Sequence, residues 1–162
     1  MTTTENDLEI SRFLAVSRAR VWKAWSDPKN LAQWWCPAPW KTEVRKFDFR
    51  AGGDFYTYMT GPDGQGGTGE SDNPGCFLEI VPLERIVTTS LMVGGWRPVV
   101  SWLPMTAIVT MADETKDGVA GTRYVARVLH LNDEDRKKHE DMGFYEGWGT
   151  CITQLEAFAQ GL

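Results

Sequence analysis

Two histidines, His130 and His139, are the side chains of this sequence best suited to acid–base chemistry, because an imidazole titrates near neutral pH. They stand nine positions apart, and we expect them on different elements, with His139 in an exposed, charged turn. A general base needs a hydrogen-bonded partner, and the spacing indicates none. Neither HxxxH nor HExxH occurs. We therefore predict no catalytic residue and no metal site.

Three cysteines, Cys36, Cys76 and Cys151, are the candidates for a nucleophile. Cys36 follows a predicted helix end, where the helix dipole disfavours a thiolate, and Cys151 falls on an apolar helix stripe typical of core packing. The odd count and the lack of CxxC indicate neither a disulfide framework nor a zinc module. The N-terminus lacks the layout of a signal peptide. We therefore expect reduced thiols and a cytoplasmic location.

Two further patterns could bind a polar group. Asp48 and Arg50 share one face of a predicted strand, which favours a structural ion pair over a contact with the polar end of a ligand. The run GQGGTG at 64–69 is similar to a phosphate loop, but it lacks the Lys-Ser/Thr ending and opens no helix. We predict a hairpin loop there and no cofactor.

The aromatic residues are the strongest candidates for a binding function, because 8 Trp, 7 Phe and 4 Tyr are many for 162 residues. Several are expected near the exit of a short helix, in the Gly/Pro-rich stretch 94–104 and on a C-terminal helix. The predicted ligand-binding residues are Trp35, Trp40, Phe55, Trp96, Trp102, Tyr145, Trp148 and Ile152. The alternative is that these side chains simply fill the core.

Composition and charge limit the classes of function. Hydrophobic residues make up 42% of the chain and charged residues 24%, values typical of a globular protein. We predict a single domain over residues 1–162. The net charge of -5 indicates no nucleic-acid partner. No apolar run approaches the ~20 residues that cross a bilayer, so no membrane span is expected.

Periodicity and turn residues predict the elements that would position these side chains. Two short helices are expected after the first strand, one at 17–26 and one that begins at Pro28 and carries Trp34 and Trp35. An apolar stripe of helical period predicts one long helix over 133–160. Strands rich in β-branched and aromatic residues are predicted at 8–15, 43–50, 54–60, 76–81, 86–93, 106–113 and 122–131.

The order of these elements also predicts an architecture. Seven strands in one sheet would be roughly 34 Å wide, whereas a helix is about 10–12 Å across. We therefore predict an α+β fold in which a curved antiparallel sheet of about seven strands wraps round the long C-terminal helix. The gap between helix and sheet is either filled or left as a pocket. Gly143, Gly147 and Gly149 would allow close approach of the helix to the sheet, or else mark a kink.

Five motifs, in order along the chain, resemble one known family. They are IxRxxxxxRxxVWxAWSDPxxLxxWW over 10–35, FDFRAGGDF over 47–55, PDG at 62–64, EIVPLERI over 79–86 and MGFYEGW over 142–148. Over nearly its whole length the chain resembles the activator of heat-shock-protein-90 ATPase homologue family, in its C-terminal-domain-like form. That family belongs to the START-like, or Bet v 1-like, superfamily. The resemblance implies a helix-grip fold.

The resemblance also implies a function, since members of this superfamily typically carry a cavity for apolar ligands. The leading expectation is a protein that binds a small apolar or aromatic molecule and is not an enzyme. One alternative is an enzyme of the polyketide aromatase/cyclase type. The other is a chaperone-related or stress-response interaction module. A small apolar molecule is the expected partner, and self-association into a homodimer is left open.

Overall fold

The computed structural model describes residues 6–162, which form ten strands and four helices. The strands are β1 (Asp7–Leu14), β2 (Lys41–Phe47), β3 (Phe55–Pro62), β4 (Thr68–Asn73), β5 (Cys76–Val81), β6 (Arg85–Thr89), β7 (Met92–Val93), β8 (Arg97–Pro98), β9 (Met105–Lys116) and β10 (Val119–His130). The helices are α1 (Arg18–Ser26), α2 (Pro28–Leu31), α3 (Asp133–Asp141) and α4 (Phe144–Gln160). None of the helices in this part of the chain is long and apolar enough to cross a membrane.

All the strands pair antiparallel, but they do not form the one sheet of about seven strands that we predicted. Five strands form a sheet in the order β1-β10-β9-β6-β5, three form a second sheet in the order β2-β3-β4, and β7 and β8 form a small hairpin. The two larger sheets touch at an isolated bridge between Asp54 and Cys76, beside the Phe55 N–H, which donates to the Gly75 carbonyl at 2.9 Å. The fold is α+β, with antiparallel sheets and a C-terminal helix.

Strand β4 begins within the segment 64–69, all of which we predicted to be a hairpin loop. Its sequence, TGESDN, has few strand-favouring residues, so propensity alone does not reveal it. Its pairing with β3 runs from Thr57 opposite Asn73 to Pro62 opposite Thr68. The hydrogen bonds of this ladder therefore stabilise a strand that its residue types do not favour.

The two short helices after β1 each begin directly after a residue whose side chain caps the helix. The Ser17 hydroxyl accepts a hydrogen bond from the Arg20 N–H at α1, and the Asp27 carboxylate accepts from the Lys29 N–H at α2. Helix α2 ends at Leu31, earlier than predicted. Trp34 therefore lies in the following turn, where its Nε1 donates to the Ala24 carbonyl at 3.1 Å.

The predicted long C-terminal helix is two helices, α3 and α4. Gly143 stands between them with φ 91°, a left-handed conformation that favours glycine. The other two glycines of this region have different surroundings. A Cβ at Gly149 would lie 3.0 Å from Nη2 of Arg12 on β1, whereas a Cβ at Gly147 would meet no atom within 4 Å. Gly143 thus breaks the helix, Gly149 permits close approach to the sheet, and Gly147 borders open space.

These surroundings predict opposite effects of alanine at two positions. Gly143→Ala is expected to lower the free energy of unfolding by about 1–2 kcal/mol, because alanine is strained at this φ. Gly147→Ala is expected to raise it by about 0.5–1 kcal/mol, because it improves helix propensity without a clash. Urea denaturation of both variants measures the two changes. Equal effects of the same sign would contradict the assignment of Gly143 as the helix break.

Candidate functional site

A pocket of about 340 Å³ opens between α4 and the three-stranded sheet, near the ends of β6 and β9. This volume is at the lower end of the ~300–1,000 Å³ that ligand pockets have. None of its lining residues in the described part of the chain is Asp, Glu, Lys or Arg. Its aromatic lining residues are Trp34, Trp35, Phe55, Trp102, Tyr124, Phe144 and Trp148.

Five of the eight predicted ligand-binding residues line this pocket. They come from four separate parts of the chain: Trp35 after α2, Phe55 on β3, Trp102 before β9, and Trp148 and Ile152 on α4. The structure therefore brings them together around one space. Contact of these residues with a ligand stays a prediction.

The other three predicted residues, Trp40, Trp96 and Tyr145, lie elsewhere. The Trp40 indole packs against Gly61 and Gly69 on the three-stranded sheet. Trp96 is half-exposed, and its indole covers Gly52 so closely that a Cβ there would lie 2.6 Å from the ring. Tyr145 is exposed on α4. Their side chains thus cover backbone or face solvent.

Several aromatic rings of the pocket wall pack against further rings in one cluster. Trp25 meets Trp34 and Trp35 edge-on, with ring centroids 5.4 and 5.0 Å apart. Phe55 stacks on Phe77 at 4.6 Å. The high aromatic content therefore serves both purposes that the sequence left open, a bulky core and the wall of a pocket.

Tyr124, on β10, lines the pocket with a buried side chain. Its oxygen accepts a hydrogen bond from Nε1 of Trp25 at 2.9 Å. Burial raises the pKa of Tyr124, so the phenol keeps its proton at neutral pH. No described residue accepts a hydrogen bond from this proton within hydrogen-bond range.

His139, which also lines the pocket, is not in the exposed turn that we predicted. It is the one buried residue of α3, with 6% of its surface accessible, and its Nδ1 lies 2.9 Å from Nε2 of His130. The Nδ1 atom of His130 lies 2.8 Å from the Asn6 carbonyl, and Nε1 of Trp148 lies 3.4 Å from Nε2 of His139. The segment around His139 is almost entirely charged, so its residue types do not reveal this chain of polar contacts.

The surroundings of His139 keep it neutral. Burial, together with the neighbouring His130, lowers the pKa of His139 from 6.5 to about 4. At neutral pH the ring therefore has one N–H and one nitrogen lone pair. The same contacts make it a weak base, which is better suited to accepting a hydrogen bond than to removing a proton from carbon.

The cysteines do not provide an activated nucleophile. Cys151 lines the pocket from α4, and burial raises the pKa of its thiol to about 12. Burial also raises the pKa of Cys36, whose Sγ accepts a hydrogen bond from the Thr42 hydroxyl at 3.0 Å. Thiolates are disfavoured at both positions. Outside the pocket, Asp48 and Arg50 form an exposed ion pair at 2.7 Å.

Trp102 forms part of the rim and is held by two neighbouring elements. Its Nε1 donates to the Asp72 carbonyl on β4 at 3.2 Å. Nζ of Lys138 on α3 donates to the Trp102 carbonyl at 2.9 Å and lies 5.6 Å from the centre of its ring. These contacts position a half-exposed indole at the pocket edge.

Comparison with solved structures shows the same fold in bacterial proteins. A protein of Nitrosomonas europaea, solved by X-ray crystallography, is 40% identical with a TM-score of 0.88, and the match covers 99% of this chain and 97% of that chain. A Mycobacterium smegmatis protein is 25% identical with a TM-score of 0.76, covering 94% and 90%. The AHSA1 protein of Silicibacter pomeroyi shares the fold, at 22% identity and a TM-score of 0.57, covering 93% and 95%.

The family comparison agrees with the motifs. No curated protein matches the chain significantly. The profile of the activator of Hsp90 ATPase homolog 1-like proteins matches residues 15–160, which confirms the resemblance drawn from the five motifs. The chain belongs to the family of activator of Hsp90 ATPase homolog 1-like proteins.

Proposed function

We propose that the protein binds a small, neutral, apolar or aromatic molecule in the pocket beside α4. The observation that carries this proposal is the lining itself, which is rich in aromatic rings and contains no charged side chain among the described residues. A charged ligand group would lose its hydration there without gaining a counter-charge, at a cost of several kcal/mol. A neutral ligand loses little hydration free energy and gains contact with flat apolar surfaces.

The polar groups of the pocket are few and suit recognition better than turnover. His139 is a weak base, and its hydrogen-bonded chain ends at a backbone carbonyl, which takes up no proton at neutral pH. An aromatase/cyclase-type reaction would be better served by an acid or base whose pKa lies near the working pH. Interaction with a chaperone is supported by the family name alone. We further propose that binding occurs in the cytoplasm.

A substitution that fills the pocket tests this proposal. In Gly147→Leu the new side chain would enter the pocket, since a Cβ at Gly147 meets no atom within 4 Å and the residue lines the wall. Wild-type protein is expected to enhance the fluorescence of the neutral probe N-phenylnaphthylamine saturably. The variant should bind the probe about 5- to 150-fold more weakly, because overpacking costs about 1–3 kcal/mol.

The matched control is Ala157→Leu, which places the same side chain on the exposed face of α4. This variant should retain wild-type affinity for the probe. Circular dichroism and urea denaturation establish that both variants are folded. Absence of saturable binding to wild type, or equal affinity of wild type and Gly147→Leu, would contradict binding in this pocket.

A further inference from the structure

The Asn6 carbonyl and the Trp148 indole, at the two ends of the chain of polar contacts, determine which nitrogens of His130 and His139 carry hydrogens. The Asn6 carbonyl can only accept, so Nδ1 of His130 carries the hydrogen of the 2.8 Å contact. In a neutral ring, Nε2 of His130 is then an acceptor, and Nδ1 of His139 donates to it at 2.9 Å. At the other end, the Trp148 indole can only donate, so Nε2 of His139 is the acceptor there. The contacts at both ends therefore require the same tautomer of His139, with its hydrogen on Nδ1 and its lone pair on Nε2.

The lone pair on Nε2 of His139 is only weakly engaged. The Nε1 atom of Trp148 lies 3.4 Å away, whereas N–H donors usually lie 2.9–3.0 Å from their acceptors. Trp148 is half-buried at the pocket wall, so the contact can lengthen without stranding a buried group. A hydroxyl on a bound molecule could approach this nitrogen to the ordinary distance of a hydrogen bond.

Most other acceptors in the pocket are already occupied by the protein. The Ser71 hydroxyl and the Asn73 amide bond to each other. The Ser90 hydroxyl accepts from the Met105 N–H at 3.1 Å and donates to the Leu103 carbonyl at 3.0 Å. An imidazole nitrogen, moreover, is a stronger base than a hydroxyl oxygen and accepts stronger hydrogen bonds.

We propose that Nε2 of His139 accepts a hydrogen bond from the bound molecule, so that the pocket selects neutral aromatic ligands that carry a hydroxyl or N–H donor. The proposal rests on the proposed function and adds the chemical class of the ligand. A phenolic hydroxyl fits best, because it is a better donor than an aliphatic hydroxyl and its ring suits the aromatic walls.

The test compares naphthol with its methyl ether, which keeps the ring and the oxygen but cannot donate. Wild-type protein is expected to bind naphthol about 5- to 10-fold more tightly, the usual worth of one net hydrogen bond. The double variant His130→Leu/His139→Phe removes both partners of the imidazole pair, which leaves neither ring unsatisfied and keeps a ring against Phe144. In this variant the preference for naphthol should disappear.

A second measurement needs no variant. Two-bond proton–nitrogen NMR spectra of the wild type should show His139 with its hydrogen on Nδ1, and naphthol should shift the Nε2 resonance while the methyl ether leaves it in place. Equal affinity for the two compounds, a preference that survives in the double variant, or an unmoved Nε2 resonance would overturn the role of His139 and leave the pocket intact. If wild type binds N-phenylnaphthylamine but neither naphthol compound, the role of His139 fails alone; if it binds none of the three, the proposed function itself fails.

Discussion

Lowering the pH from 7 to 4 is expected to reduce the free energy of unfolding by about 3 kcal/mol through His139 alone. Its pKa is about 4 in the folded protein, against 6.5 as its ordinary value. Between these values the unfolded chain binds a proton that the folded protein excludes, so acid stabilises the unfolded state. The stabilising contribution of His139 to the free energy of unfolding is fully present above pH 6.5 and is lost as the pH falls toward 4. Below pH 4 no further loss comes from His139.

Urea denaturation at a series of pH values measures this loss. The control is His130→Leu/His139→Phe, in which the carboxylates titrate as in the wild type but the imidazole pair is gone. The free energy of unfolding of the wild type, relative to that of the variant, should therefore fall as the pH falls from 6.5 to 4. Parallel curves for the two proteins would show that His139 takes up its proton as readily when folded as when unfolded.

Truncation of Phe77 is expected to destabilise the protein by about 3–5 kcal/mol, the usual cost of Phe→Ala in a core. Phe77 is fully buried and contacts the rings of Phe47, Phe49 and Phe55. Its backbone also ties β5 to the turn between β2 and β3, since its N–H donates to the Gly53 carbonyl at 2.9 Å. Alanine would leave a cavity where three other rings converge.

The effect of Phe77→Ala should reach the pocket as well, because Phe55 both stacks on Phe77 and lines the pocket wall. We expect weaker binding of N-phenylnaphthylamine in addition to a lower urea midpoint. Leu131→Ala serves as control, since Leu131 is 68% exposed and its truncation should change stability by no more than about 0.5 kcal/mol. A similar, small loss of stability in both variants would be inconsistent with a close-packed aromatic cluster around Phe77.

The sequence by itself determined the elements whose signals are local. A capping serine and the Asp27-Pro28 pair placed the starts of α1 and α2, because a helix terminus needs partners within a few residues. Five motifs in order identified the family, which the match over residues 15–160 confirms. Residue type and spacing also singled out five aromatic and aliphatic side chains that the fold gathers around one pocket.

Only the tertiary structure decided which polar residues belong to that pocket. His139 stands in a charged segment, and periodicity reports the average polarity of a helix face, so it cannot reveal the one side chain of α3 that is buried. Strand β4 exists because β3 supplies its hydrogen-bond partners, which lie outside its own sequence. Gly143, with its positive φ, separates α3 from α4, and Trp148 on α4 contacts His139 on α3. Such contacts arise from packing between distant segments, and no local pattern encodes them.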